Sequence, residues 1–423
     1  MSDERPPASK AVATVVNRRP GRRRLLPKLL LACTVGLVTL KIADVAVGVF
    51  TGTQQRHRLR LAPRAELRHQ SKEFDYVFRT NRLGLRGPEI SFTKPAKTYR
   101  IAILGDSFIA GYGVAEEHLL TGLLQQQLQE SAKKTRPNIE VVNVGRVGTS
   151  TIRELDLYES LGRRFQPDVV ILAYYLGNDL AEVVQEQTDD ELARWSPPGR
   201  LRGLTYRCFP NLYLELAMIR QSQRQLREFT HRDESEIAAD IRQEALARQR
   251  NPDDAAQRFE SLPPEIRHDV ATGVLSEQRV VDSCIEPDRL LRALDPSDAD
   301  FERSWSRTQT HLDKLQSAVA RDGAQLVLVL IPAPFQLDRQ SLEFHRQLGY
   351  EVREAWLTEP VRTAQALSDW SRDHDIPCLD LTDELRKSEK PLYFIEDVHF
   401  NPEGNHLAAM LISQFLLSRK LCP

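Results

Sequence analysis

RIAILGDSFIAGYGV (Arg100–Val114) begins as an unbroken aliphatic run and stops at Gly105-Asp106-Ser107 before small and glycine residues lead on. A run with no polar alternation reads as a strand buried on both faces, as in a parallel sheet. A serine at the seam between such a strand and a helix has an exposed hydroxyl and an unpaired backbone N–H. By itself Gly-Asp-Ser is an ordinary turn with a helix cap. Its meaning depends on what else reaches the same edge of the sheet.

Working outward, strands and helices alternate. TYRIAIL (98–104) is followed by a helical pattern over Leu119–Ser131. IEVVNV (139–144) is followed by one over Ile152–Arg164, and PDVVILAYYL (167–176) makes a third strand. AQLVLVLIP (324–332) and IPCLDL (376–381) make a fourth and a fifth, preceded by helical patterns over Phe301–Arg321 and Glu359–His374. This order predicts an α/β domain with a doubly wound, five-stranded parallel sheet. Its first part spans 99–185 and its second 301–423. Between them, residues 186–300 are charged and rich in Ala and Gln, with helical spacing but a thin apolar stripe. They predict a helical insertion, partly mobile, over the carboxyl edge of the sheet. Residues 51–98 predict a stalk packed on the main domain, with Asn and Gly in FRTNRLGLRGPEISF at turn positions.

Composition narrows the class. Hydrophobic residues at 41% and charged residues at 28% fit a folded core, and a net charge of −1 gives no general pull toward nucleic acid. Residues 1–28 read as a basic disordered tail. Leu29–Phe50 is about as long as the ~20 apolar residues a membrane-spanning helix needs. The basic cluster Arg18, Arg19, Arg22, Arg23, Arg24 and Lys28 before it favours a cytoplasmic N-terminus, making 29–50 a signal anchor in the inner membrane with the rest outside the cytoplasm. Two alternatives are a cleaved signal peptide with Leu29–Leu40 as its apolar core and a lipobox-like LLAC ending at Cys33. Lys41 and Asp44 are costly inside a span, but i, i+3 spacing lets them meet. The five cysteines show no C-x-x-C spacing, so zinc and dithiol motifs are absent.

Ligands of open parallel sheets sit outside the carboxyl ends of the strands, and four polar seams fall there. They are Gly105-Asp106-Ser107, then NVGRVGTS with Gly145 and Gly148, then Gly177-Asn178-Asp179, and finally YFIEDVHFNPEGNHLAA with Glu396, Asp397 and His399. Together they supply the roles of acyl transfer. Ser107 is the nucleophile, His399 the base that takes its proton, and a carboxylate beside the histidine fixes its tautomer. The backbone N–H groups of Ser107 and Gly148, with the Asn178 amide, are oxyanion donors. No G-x-S-x-G surrounds Ser107, and no P-loop, H-E-x-x-H or complete G-x-G-x-x-G appears.

The order GDS, NVGRVG, GND and DVHFNPEG resembles the SGNH (GDSL-type) hydrolase family, whose named Ser, Gly, Asn and His correspond here to Ser107, Gly148, Asn178 and His399. The resemblance covers roughly 99–185 and 301–423. It implies a flavodoxin-like three-layer α/β/α fold and a metal-free, cofactor-free esterase, lipase, deacetylase or acyltransferase. Many members place the acid three residues before the histidine, here Glu396. The D-x-H form of alginate-acetyltransferase-like members and membrane-anchored relatives favours Asp397, while Glu396 stays open because its longer arm can also reach the imidazole. The expectation is a membrane-anchored extracytoplasmic enzyme acting on acyl esters, such as those of an acylated envelope polysaccharide, with no nucleic-acid partner. The competing readings are an inactive scaffold of an envelope-assembly complex and a nucleotide- or phosphate-binding flavodoxin-like module.

Overall fold

The computed structural model of the chain describes residues 22–51, 63–131, 137–183, 200–213, 216 and 232–423. Of the disordered tail expected over 1–28, residues 1–21 lie outside the described residues and 22–28 are instead helical, continuous with the apolar helix; parts of the expected stalk and insertion also lie outside the described residues. The described residues form two compact units, one made of the N-terminal helix with residues 200–213, the other of the rest.

In the first unit a single helix runs from Arg22 to Thr51. Its segment Leu31–Val49 has a mean hydropathy of 1.7 and is long and apolar enough to cross a membrane. The two charges inside it are accounted for. Lys41 Nζ lies 3.3 Å from Asp44 Oδ2 and donates to the Cys208 carbonyl at 2.9 Å. Asp44 is buried, and its Oδ1 accepts the N–H groups of Asn211 and Leu212 at 2.8 and 3.0 Å. Gly48 permits this close approach, since a Cβ there would stand 2.5 Å from the Asn211 side chain.

The second unit opens with an antiparallel hairpin, β1 (Glu66–Gln70) and β2 (Asp75–Arg79). The reading of this region as a stalk did not foresee it. The turns beyond it use Gly84 and Gly87 at positive φ, as the NRLGLRG pattern predicts. The main sheet comprises β3 (Thr98–Gly105), β4 (Asn138–Asn143), β5 (Val169–Tyr175), β6 (Gln325–Ile331) and β7 (Cys378–Asp380). All neighbours are parallel, in the order β4-β3-β5-β6-β7. Every residue of β5 is buried, which is why its sequence carries no polar alternation. Arg100 is the polar exception in β3. It is fully buried, and its guanidinium bonds Glu140 on β4 and the Phe165 carbonyl.

Right-handed crossovers decide the layers. The chain moves one way from β3 to β4 and the opposite way from β4 through β5 and β6 to β7, so the connecting helices divide between the two faces. Accordingly Leu120–Ser131 packs with the final helix Pro402–Ser418, and Thr151–Ser160 packs with Asp298–Arg321. The result is a flavodoxin-like three-layer α/β/α fold. Its strand order reverses at β3 and β5, where such folds bind ligands.

The insertion departs from expectation in one respect. Glu234–Ala247, Pro252–Ser261, Pro264–Ala271 and Glu277–Ile285 enclose a second core around Ile237, Ile241, Phe259, Ile266 and Val280. A thin stripe on each helix suffices because several short helices share one interior, which Leu348 and Tyr350 complete from the chain beyond β6.

Candidate active site

The site begins where β3 stops. Asp106 caps the short helix Ser107–Ala110, accepting the Phe108 N–H at 2.9 Å, and so sets Ser107 on the first turn. The strand-to-helix turn is tight. A Cβ on Gly105 would come within 2.5 Å of Ile109, and one on Gly145, in the loop after β4, within 2.5 Å of the Ala110 nitrogen. Two glycines thus let the loop after β4 close on the serine turn, where the Arg146 N–H donates to the Gly105 carbonyl at 2.9 Å. From the side of the hairpin, buried Arg86 donates to the carbonyls of Gly111 and Val114 and packs over the Tyr76 and Phe78 rings.

His399 arrives on the loop between β7 and the last helix. Asn401 caps that helix through the Gly404 N–H. Gly404 is obligatory, since its Cβ would fall 2.1 Å from the Leu392 carbonyl. The imidazole lies between the Phe108 and Tyr112 rings, at centroid distances of 5.2 and 4.9 Å. Its Nε2 is 2.7 Å from Ser107 Oγ, and its Nδ1 bonds Asp397 Oδ1. A carboxylate on Nδ1 selects the tautomer with the proton there, which leaves Nε2 to accept the serine proton.

The other sequence-predicted residues take distinct places. Glu396 accepts the Ser276 N–H of the insertion at 3.1 Å, while it is Asp397 that meets the imidazole, and burial pushes the Glu396 carboxyl above the usual range. Asn178 stands at the end of β5 with its amide donating to Glu182 at 3.0 Å. Gly148 lies exposed in the loop after β4 with φ +69°. Beneath the site Asp106 is fully buried, and desolvation pushes its carboxyl up to about 7. Asp179 is also buried, accepts the Tyr175 N–H at 2.8 Å, and is raised well above its ordinary value by the same cause.

Sequence reasoning missed the contribution of the hairpin. Phe74 packs edge-on against Tyr112 and Phe394, and Tyr76 Oη takes the Gly113 N–H. The hairpin therefore walls the serine and histidine loops. Glu73, on its turn, accepts backbone N–H groups of the histidine loop. No local pattern signals this, because the partners lie more than 300 residues apart in sequence. Among the described residues no cluster of three or more His, Cys, Asp or Glu could hold a metal ion. A groove of about 650 Å³ lined by Phe301, Arg353, Trp356 and Arg362 includes none of the residues above.

Residues 293–422, which carry Asp397 and His399, match the family model described as SGNH hydrolase-like domain, acetyltransferase AlgX. No curated protein matches the chain significantly. Solved structures that overlap it include a putative lipolytic protein of the G-D-S-L family from Desulfitobacterium hafniense, with 12% identity over 75% of this chain and 99% of that one at a TM-score of 0.33. The lipase/acylhydrolase from Enterococcus faecalis overlaps at 12% identity over 76% and 96%, also at 0.33. An acetylxylan esterase from Geobacillus stearothermophilus overlaps at 11% over 75% and 94%, at 0.32. Superpositions at such scores are partial and add nothing to the strand order described above. In residues 293–422 the chain is similar to the SGNH hydrolase-like domain of the family model, and its parallel sheet and the order of its four motifs are of the kind found in SGNH (GDSL-type) hydrolases.

Proposed function

We propose that the chain is a membrane-anchored, extracytoplasmic serine esterase or O-acetyltransferase acting on acyl esters of an envelope polysaccharide. Ser107, His399 and Asp397 form its triad, and Ser107, Gly148 and Asn178 donate to the oxyanion. The observation that carries this reading is the 2.7 Å contact between Ser107 Oγ and His399 Nε2, with Asp397 on the opposite ring nitrogen. The match to an acetyltransferase model supports a short acyl group. The apolar helix supports the anchor, with 1–28 cytoplasmic, 29–50 entering the bilayer and residues 208–212 packed along its Lys41–Gly48 end. Residues 51–98 would then lead from the membrane, and the insertion would border the site where its Ser276 N–H meets Glu396 of the histidine loop.

In the reaction Ser107 Oγ attacks the acyl carbon while its proton passes to His399 Nε2. Asp397 stabilises the imidazolium. The oxyanion is held by the two backbone N–H groups and by the Asn178 amide, which carries a second N–H besides the one that donates to Glu182. Collapse of the intermediate expels the alcohol, which leaves with the proton from His399. Water or a sugar hydroxyl, giving its proton to the same imidazole, then attacks the acyl carbon, and Ser107 Oγ departs taking that proton from His399, which restores the starting state.

Fluorophosphonate labelling of the full-length protein in detergent, with mapping of the adduct, tests this. The expected result is an adduct on Ser107 that is lost in Ser107→Ala and strongly reduced in His399→Ala. Folded wild-type protein that takes no adduct, or takes it elsewhere, would overturn the assignment. Alkaline-carbonate extraction of membranes tests the anchor, and release of the full-length chain would refute it.

A further inference from the structure

Three consecutive backbone N–H groups of the histidine loop converge on one side chain. Glu73 Oε1 accepts from Ile395 at 2.6 Å, and Oε2 accepts from Glu396 at 3.0 Å and from Asp397 at 2.9 Å. Successive N–H groups pointing one way form a concavity that favours an anion, and here the anion is built into the fold. The turn that carries this side chain is itself fixed. Ser71 Oγ accepts the N–H groups of Glu73 and Phe74 at 3.1 Å each, and the Ser71 N–H donates to the Phe74 carbonyl at 2.8 Å. The Phe74 ring meets Phe394 at 5.3 Å between centroids, which closes the same contact from its apolar side.

The loop held in this way needs holding. Between Phe394 and His399 it has little regular pairing of its own. The Phe394 N–H bonds the His399 carbonyl at 3.0 Å, and a single isolated bridge joins Tyr393 to Phe400. Asp397, whose N–H Glu73 takes, is the residue whose carboxylate meets His399 Nδ1. A shift of about 1 Å in a catalytic arrangement can cost ~100-fold in rate, so the path of this backbone bears directly on the relay.

We propose that Glu73 is a positioning residue for the Asp397–His399 pair, acting through the backbone of residues 395–397 and touching neither substrate nor Ser107. The proposal rests on the Ser107–His399–Asp397 reading. Because Glu73 orders a catalytic loop, its removal should lower kcat and leave KM nearly unchanged. It should also free three particular amides.

The experiment uses full-length protein in detergent and compares wild type, Glu73→Gln, Glu73→Ala and Asp75→Ala. Asp75 lies on the same hairpin, paired with Arg68 on the surface, and controls for general disturbance of the hairpin. The readouts are kcat and KM with 4-nitrophenyl acetate, the rate of fluorophosphonate labelling at Ser107, and hydrogen exchange of the peptide spanning 395–397. For Glu73→Ala the expected result is a ten- to hundredfold loss in kcat, KM within twofold, slower labelling and faster exchange of that peptide. Glu73→Gln, which keeps one acceptor oxygen, should fall between, and Asp75→Ala should match wild type. If Glu73→Ala lacks a cooperative melting transition, Glu73→Gln decides alone, with at least a threefold loss in kcat expected. Folded variants with kcat within twofold of wild type, or with unchanged exchange at 395–397, would overturn the role of Glu73 while leaving the triad intact. Wild-type protein that does not label at Ser107 would overturn the triad reading, and this role with it.

Discussion

Replacing Asp397 with Asn and, separately, Glu396 with Gln puts two adjacent carboxylates in direct competition. Asp397→Asn removes the negative charge from His399 Nδ1 and offers an amide that can equally well donate there, favouring the wrong tautomer. A hydrogen bond to a charged group contributes about 1.5–3 kcal/mol. In the serine-protease template, where the acid is fully enclosed, amide replacement costs about 10⁴ in kcat. The Asp397 side chain retains 22% exposure, so water partly compensates and a loss of about 10²–10³ is expected. At ~1.36 kcal/mol per decade that is roughly 3–4 kcal/mol of barrier. Glu396→Gln loses an acceptor only toward the Ser276 N–H, where a glutamine oxygen still serves, so kcat should stay within about threefold of wild type. The assay is steady-state hydrolysis of 4-nitrophenyl acetate by full-length protein in detergent, with melting curves showing that both variants are folded. Equal losses, or a larger loss for Glu396→Gln, would refute the assignment of roles from the loop geometry.

Two further perturbations follow from the turn and from the buried acid. Gly145→Ala should destabilise by about 1–3 kcal/mol through overpacking, because its Cβ would meet Ile109 and Ala110 at 2.5–2.7 Å. Gly148→Ala meets nothing within 4 Å, so only its φ of +69° opposes it, and about 1 kcal/mol is expected. Urea unfolding of the two variants should rank them in that order, and the reverse order would refute the packing argument. Asp106 gives a pH dependence of definite sign. Native Asp106 keeps its proton up to about pH 7, whereas the unfolded carboxyl loses it near 4, so the folded state binds more protons between these values. Its contribution to stability is therefore full below pH 4 and falls as pH rises toward 7. Asp106→Asn keeps an acceptor for the Phe108 N–H and cannot ionise, so the drop in melting temperature from pH 5 to pH 8 should be smaller than in wild type. An unchanged drop would show that Asp106 is not the group responsible.

Much of the architecture was legible in local pattern. Strands buried on both faces must be continuously apolar, so RIAILG, VVILAYY and LVLVLI announced themselves, as did the helices between them. Their alternation with single crossovers leaves few topologies, and the chirality of those crossovers chooses among them. The seams at the strand ends were equally visible, because turns and caps demand Gly, Asp, Asn and Ser at particular offsets. The limits lay where a residue's role depends on a partner distant in sequence. The hairpin was hidden because ELRHQ and DYVFR are short, half-exposed strands with weak alternation. The second core was hidden because no one helix of the insertion carries a wide apolar face, and only their packing together with Leu348 and Tyr350 makes one. Lys41 and Asp44 looked like a defect in an apolar span until residues 208–212 supplied the acceptor and donors that satisfy them.

The sequence by itself determined a doubly wound α/β chain with Ser107 and His399 at the same edge of its sheet. That follows from short-range physics, since periodicity sets which face is buried and parallel strands place their carboxyl ends together. Only the tertiary structure decided which carboxylate meets the imidazole. Asp397 and Glu396 are chemically near-equivalent neighbours, and what separates them is the course of one loop. The Ser276 N–H takes the Glu396 carboxylate, and Glu73 gathers the backbone N–H groups of residues 395–397. Those partners stand 120 residues away for Ser276 and more than 320 for Glu73. A local pattern carries no information about hydrogen bonds closed over such distances, because they exist only once the chain has folded.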